Sequence, residues 1–441
     1  MACKNRQIAA IGLFGLAACA QGGHTTPTQP VEPSPNFLVV MSDDQGVDWV
    51  GAFNEEFIER PLTPRTDEFA SEGLLFRRAY TAPSCSPARA ALLSGRFGFR
   101  HGIGTAIYPD NAAQIADNEV LIPAVLDRAN PSYYSALLGK WHLGLEHVAG
   151  LDHPLRHGFD EYAGSFGGLH DYAEWERVEN GREVTVSEYP TIVTTDAAID
   201  ALGRLPEPWF LMVSYNAPHA PFHQPPSDLH SYDLDDDSTD RALFAATIQA
   251  LDTEFGRLLD AMSAEQRANT YVIYLGDNGT MNSVMQPRES YGGKNSVRET
   301  GTRTPLMIRG PDVPAGAETQ ALVQTADFLP TLAELARTAP LPDVALDGTS
   351  FADVLTEPTR SGREWIYAER FFPNGDGPWE KHRQSARNDR FKLIRTHDEG
   401  TEDLYDLQGV TREADPIRPP YTGAAEVAWA ELSALLDQLS N

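Results

Sequence analysis

Three short apolar runs in this 441-residue chain each end in a polar cluster. Asn36 to Met41 reads Asn-Phe-Leu-Val-Val-Met and gives way at once to Ser42-Asp43-Asp44-Gln45-Gly46. Trp209 to Ser214 leads into Tyr215-Asn216-Ala217-Pro218-His219, and Thr270 to Leu275 into Gly276-Asp277-Asn278-Gly279. Runs of this length, without the alternation of a half-exposed strand, predict strands buried on both faces, as in a parallel sheet covered by helices. Between them apolar residues recur at helical spacing: Leu243, Ile248, Leu251, Phe255, Leu258 and Leu259 within Ala242 to Met262, and Phe328, Leu332 and Leu335 within Thr325 to Ala336. The pattern predicts an α/β fold, a large and mostly parallel sheet sandwiched by helices. In such sheets ligands bind beyond the carboxyl ends of the strands, where all three polar clusters fall.

After about residue 350 the pattern changes. Glu364 to Glu369, Gln384 to Arg387 and Phe391 to Thr396 are short strand-like runs separated by Gly, Pro and Asn, followed by Leu404-Tyr405-Asp406-Leu407 and a helical pattern from Ala424 to Leu439. We divide the chain into a catalytic domain over residues 36–350 and a smaller α/β subdomain, antiparallel sheet plus helix, over 351–441. At 41% hydrophobic the composition is that of an ordinary globular enzyme.

The amino terminus reads differently. Lys4 and Arg6 precede an apolar stretch from Ile8 to Ala18 that closes on Leu16-Ala17-Ala18-Cys19, the arrangement of a secretion signal ending in a lipoprotein box. Residues 1–19 are then the signal, Cys19 becomes the lipid-bearing terminus, and residues 20–35, rich in Pro, Thr and Gly, form a flexible tether. The expectation is export to the bacterial cell envelope, periplasm or outer membrane, with the lipid as the only membrane contact. A formal net charge of -28 argues against nucleic acid as a partner and requires any anionic substrate to meet a locally positive pocket. With Cys3 and Cys19 in the signal, Cys85 is the single cysteine of the mature body, so no intrachain disulfide forms there.

Cys85 opens the most specific local signal, Cys85-Ser86-Pro87-Ala88-Arg89, which continues through Ala90-Ala91-Leu92-Leu93-Ser94-Gly95-Arg96. It resembles the Cys-x-Pro-x-Arg signature of the formylglycine-dependent sulfatases of the alkaline phosphatase superfamily. Further landmarks of that family follow in order: Asp43-Asp44, Gly139-Lys140-Trp141-His142-Leu143-Gly144, Ala217-Pro218-His219, Asp277-Asn278-Gly279 and Gly292-Gly293-Lys294. Taken singly, each has an ordinary structural explanation as a turn, a cap or a solvated lysine.

The resemblance implies an alkaline-phosphatase-like fold and hydrolysis of sulfate esters to alcohol and inorganic sulfate. It implies that a partner enzyme oxidises Cys85 to formylglycine (3-oxoalanine), whose hydrated form attacks sulfur. Asp43, Asp44, Asp277 and Asn278 offer hard oxygen donors for a divalent cation completed by residue 85. Donor type alone admits calcium or magnesium, and the family implies calcium. The same resemblance makes Arg89 and Lys140 holders of anionic charge, with Lys140 also touching substrate, and His142 the base that helps release sulfate. It places His219 and Lys294 across the sulfate, protonating the departing oxygen, with Asp277 assisting the first proton removal.

Thr302, Arg303, His157, His170 and His223 are secondary candidates, and Trp141 and Trp175 are candidate stacking platforms for a ring. The resemblance implies an aryl sulfate or a sulfated carbohydrate as substrate, to be chosen by loops at Tyr162 to Arg182, Phe222 to Asp240 and Phe371 to His382. The alternative is a phosphonate or phosphate monoester hydrolase of the same superfamily. A surface-displayed binding lipoprotein with a silent site is a third reading.

Overall fold

The computed structural model describes residues 33–53, 58–111, 113–286, 292–339 and 344–439. The expected signal, Cys19 and most of the expected tether lie outside the described residues. Four parallel strands form the middle of a ten-stranded sheet: β1 (Asn36–Ser42), β2 (Tyr134–Gly139), β3 (Trp209–Ser214) and β4 (Thr270–Gly276), in the order β4-β1-β3-β2. Every residue of β1, β3 and β4 is buried, as their unbroken apolar character requires.

Alternation along β1 divides the core into two layers. Phe37, Val39 and Met41 join a cluster with Ala90, Leu92 and Leu93 of helix α1 (Cys85–Ser94) and with Phe328, Leu329 and Leu332. Leu38 and Val40 face the other way, onto Leu251, Phe255 and Leu258 of helix α2 (Asp240–Ala261). Short strands extend the sheet on both sides, 306–309, 74–76 and 317–319 beyond β4, and 161–164, 175–179 and 182–186 beyond β2. Several of these pair antiparallel, so the sheet is mixed at its edges and parallel at its centre.

Register is what positions the site. Ser42 pairs with Gly276, Met41 with Ser214, and Gly139 with Ser214. The four strands therefore end at one level, and Asp43, Lys140, Tyr215 and Asp277 all leave the sheet along the same edge.

In the carboxyl-terminal part, strands 366–372, 381–387, 391–396 and 401–406 pair antiparallel in chain order. A helix over Ala424–Leu439 lays Ala428, Leu432 and Leu436 against Ala386, Leu393 and Leu404. Among the described residues no helix is long and apolar enough to cross a membrane.

A buried charged cluster ties this sheet to the catalytic part. Glu299 accepts from Lys392 Nζ at 3.0 Å, from Arg387 Nη1 at 2.9 Å and from the Tyr80 hydroxyl at 2.8 Å, and Lys392 also meets Glu413 at 2.9 Å. Burial opposes the Glu299 charge, but Lys392 and Arg387 pull its pKa down to about 2. A carboxylate held below its unfolded pKa contributes stability that is complete above about pH 4.5 and is lost as pH falls toward 2. Glu299→Gln should therefore cost about 3 kcal/mol at neutral pH by leaving buried cations underpaired. Urea unfolding across pH should also show a shallower acid loss in the variant.

Candidate active site

Cys85 is the first residue of α1, and Pro87 sits in the first turn, where its missing N–H costs the helix nothing. Arg89 lies one turn on, on the same face as Cys85. Cys85 and Arg89 are both buried beneath the carboxyl edge of the sheet. Cys85 Sγ lies 3.3 Å from Asp43 Oδ1 and 3.8 Å from Asp44 Oδ1.

The strand-end turns bring the remaining groups together. Gly139 has φ +105°, and a Cβ there would stand 1.9 Å from the Ser214 carbonyl, so only glycine lets the chain cross β3 and present Lys140. Lys140 Nζ bonds Asp43 Oδ2. Arg89 bonds Asp277 Oδ2 at 3.0 Å, the Lys140 carbonyl at 3.1 Å and the Ser214 hydroxyl, and Ser214 in turn donates to the Lys140 carbonyl at 2.8 Å. Lys294 Nζ lies 2.7 and 2.8 Å from the two oxygens of Asp44. Asn278 Nδ2 donates to Asp44 Oδ1 at 2.7 Å, and the Asp44 amide donates to Asp277 Oδ1 at 2.9 Å. His219 Nε2 stands 3.7 Å from Asp44 Oδ2.

Electrostatics follow from this crowding. Burial and the neighbouring Asp43 charge push the Asp277 carboxyl up to about 7. Asp43 is also buried, yet Lys140, His219, Arg89 and Lys294 hold it well below the usual carboxylate range. Burial and Asp43 push the Cys85 thiol well up, so an unaltered sulfhydryl here stays protonated and is a poor nucleophile. Burial, then Lys140 and Arg89, hold His142 well below the ordinary imidazole range, which keeps it neutral. Its Nε2 meets the Ile107 carbonyl at 3.1 Å, which assigns the proton to Nε2 and leaves Nδ1 a lone pair. Nδ1 is buried without a hydrogen-bond partner among the described residues, the condition of a proton acceptor in reserve.

The donor set fits a hard divalent cation. Asp43, Asp44, Cys85 and His219 place one ligand atom each within 4.8 Å of one another, and Asp277 and Asn278 adjoin Asp44. Asn278 Oδ1 is buried with no hydrogen-bond partner among the described residues, a neutral acceptor already desolvated. Asp43, Asp44, Cys85, Arg89, Lys140, His142, His219, Asp277, Asn278 and Lys294 thus occupy one region at the end of the central strands.

The secondary candidates do not join them. His157 is buried and its Nε2 meets His153 Nε2 at 3.2 Å, while Trp141 Nε1 donates to His153 Nδ1 at 3.2 Å, behind the Lys140 turn. Asp117, His153 and His157 could together surround a metal. The Trp141 bond instead fixes the His153 proton on Nε2, which spoils that nitrogen as a ligand. Trp141 and Trp175 are 1% and 5% exposed, so neither offers a free face to a ring. Thr302 Oγ1 donates to the Arg298 carbonyl and Arg303 Nε to the Arg77 carbonyl, each at 2.9 Å, so both side chains are engaged with backbone outside the cluster. His170 is exposed. His223 stacks on Tyr172, with ring centroids 3.8 Å apart.

Two residues that the sequence reading passed over belong to the region. Ser214, the one polar residue closing the apolar run of β3, anchors Arg89. Tyr108 is 47% exposed, its ring 6.1 Å from that of His142, and its hydroxyl feels the charges of Lys294, Cys85, Lys140 and Asp44. Nothing in the local pattern around Tyr108 distinguishes it from a loop residue.

Comparison with known proteins agrees with this geometry. The family model described as sulfatase matches residues 35–338, and the model described as N-sulphoglucosamine sulphohydrolase, C-terminal, matches 290–435. Human N-acetylgalactosamine-6-sulfatase is 32% identical over 373 residues, covering 76% of this chain and 68% of that protein. Rat arylsulfatase G is 26% identical over 417 residues, covering 82% and 76%. Among solved structures, Ps i-CgsB in complex with k-i-k-neocarrahexaose superposes with a TM-score of 0.76 at 26% identity, covering 92% of each chain. With a strand-end cluster of this composition and a family match across most of its length, the chain belongs to the sulfatase family and is a sulfuric ester hydrolase.

Proposed function

We propose that this sulfatase acts on sulfated carbohydrate through a formylglycine made from Cys85 by a maturation enzyme, with calcium held by Asp43, Asp44, Asp277, Asn278 and residue 85. The observation that carries the reading is the position of Cys85. Its side chain sits 3.3 Å from Asp43 and 3.8 Å from Asp44, where a thiol is held protonated and a hard oxygen ligand would fit. When hydrated, the oxidised side chain supplies a hydroxyl nucleophile toward sulfur and a second hydroxyl through which sulfate leaves without a second attack at sulfur. Calcium bound there supplies positive charge to the nucleophile and to a sulfate oxygen, for which its flexible oxygen coordination is better suited than the tight octahedron of magnesium.

The protein's own groups account for the rest. Lys140 and Lys294 carry positive charge to either side of the carboxylate pair and stabilise anionic oxygens in the transition state. Arg89, locked by Asp277, Ser214 and the Lys140 carbonyl, fixes residue 85 from below and balances its developing charge. His142, neutral and with Nδ1 unpaired, takes a proton as sulfate is released. His219 faces Asp44 through Nε2 and, as the imidazolium and together with the Lys294 ammonium, would give a proton to the departing sugar oxygen.

A carbohydrate substrate is supported by the relatives named for N-acetylgalactosamine-6-sulfatase activity and by the oligosaccharide complex of the similar structure. These relatives and the full lysine and histidine complement favour sulfate over phosphonate. From the Leu-Ala-Ala-Cys box we further infer an exported, lipid-anchored enzyme of the cell envelope, with Cys19 carrying the lipid. The direct test is a mass spectrum of the tryptic peptide Ala79 to Arg89 from protein made in its native host. An aldehyde at position 85 is expected, and an unmodified thiol in active enzyme would overturn the formylglycine reading.

A further inference from the structure

His219 lies in a tight turn whose amide donates to the Asn216 carbonyl at 3.0 Å. The turn is held from two directions. On the side of the carboxylates, the Ala217 carbonyl accepts from the Asp43 amide at 3.1 Å. On the other side, the hydroxyl of Tyr172 is shared between the Asn216 and His219 carbonyls, at 2.9 Å from each. The Tyr172 ring is buried at 5% exposure and carries the His223 imidazole stacked on it, and Tyr189 meets His223 Nε2 at 3.0 Å. His219 itself donates from Nδ1 to the neighbouring Ala220 carbonyl at 2.6 Å, so that Nε2 is the atom presented to the site, and it carries a proton to give only in the imidazolium form, which burial opposes and the Asp43 and Asp44 charges favour.

We propose that Tyr172, backed by His223, is a positioning residue that fixes the His219 turn so that the Nε2–H of its imidazolium meets the leaving oxygen. The inference rests on the reading of His219 as proton donor. One phenol bridging both carbonyls of a turn restrains its rotation in a way that general burial does not. A proton donor displaced by even a fraction of an ångström loses efficiency only when the leaving group needs the proton. Tyr172 thus acts through His219 and not on substrate.

The test uses the full matured enzyme and two esters, 4-nitrophenyl sulfate with an activated leaving group and phenyl sulfate with a poor one. Tyr172→Phe keeps the ring and its stacking and removes only the hydroxyl. Its kcat is expected to fall about tenfold on phenyl sulfate and by less than about threefold on 4-nitrophenyl sulfate. His223→Leu, which removes the backing ring, should show the same bias to a smaller extent, and it provides a second route should the first variant fold poorly. His219→Ala is the control and should show the bias most strongly. An equal loss on both esters in Tyr172→Phe would make Tyr172 merely structural and overturn the proposal. A biased His219→Ala beside unbiased Tyr172→Phe and His223→Leu would overturn the proposal alone. A His219→Ala without bias would remove the proton-donor reading and this inference with it.

Discussion

Replacing Cys85 by alanine should abolish sulfate release, lowering kcat by about 10⁴-fold or more, because it removes the group from which the proposed nucleophile would be made. The fold should survive the change. Cys85 is a small, fully buried side chain, and trimming its sulfur costs about 1 kcal/mol in lost contacts. Cys85→Ser is the more instructive variant. It supplies one hydroxyl beside Asp43 and Asp44 but no second hydroxyl on the same carbon, so sulfate taken onto an unoxidised serine has no intramolecular way out. At most one turnover per molecule is expected, seen as a burst equal to enzyme concentration in a stopped assay. Steady turnover by the alanine variant within tenfold of the unaltered enzyme would show that chemistry does not pass through residue 85.

Asp44→Asn should lower kcat by about 10³-fold through loss of a ligand to the proposed calcium and of charge balance at the centre of the site. Asp44 is the hub of the cluster, touching Lys294 at 2.7 Å and Asn278 at 2.7 Å and standing 3.8 Å from Cys85. Asparagine is the right replacement because Asp44 has φ +68°, a left-handed conformation that Asn tolerates and that costs most other residues about 1–2 kcal/mol. Alanine at this position would mix backbone strain with loss of the ligand. In the unaltered enzyme, exhaustive chelation should reproduce the loss and calcium should reverse it. In the variant, added calcium should restore little, and calorimetric titration should show weakened binding independently of activity. Full activity after chelation would remove the metal from the mechanism.

Much of this was legible in the chain because its signals are local. The central strands β1, β3 and β4 announce themselves as unbroken apolar runs, since both their faces are covered, and the helix over Ala424–Leu439 shows its apolar stripe directly. Cys85 through Arg96 is informative because a helix start, a nucleophile position and a cation one turn later must be adjacent in sequence to be adjacent in space. The short outer strands were not foreseen. Ala317–Thr319 has no apolar pattern of its own and exists because the strand at 74–76 offers it a partner.

Local pattern therefore specified the α/β class, the strand-end clusters and the chemical inventory of the site. How each histidine is used depends on packing. The motifs around His142 and His219 set them apart from His157 and His223, but do not say what each ring does. His142 keeps an unpaired Nδ1, His157 is consumed by His153, and His223 is turned into a support for Tyr172. The tertiary structure also decided that Trp141 and Trp175 are buried and that Tyr108 and Ser214 lie in the site. The physical reason is that register along four strands sets which turns converge. Convergence involves residues more than 200 positions apart, such as Asp44 and Lys294, which no local pattern encodes.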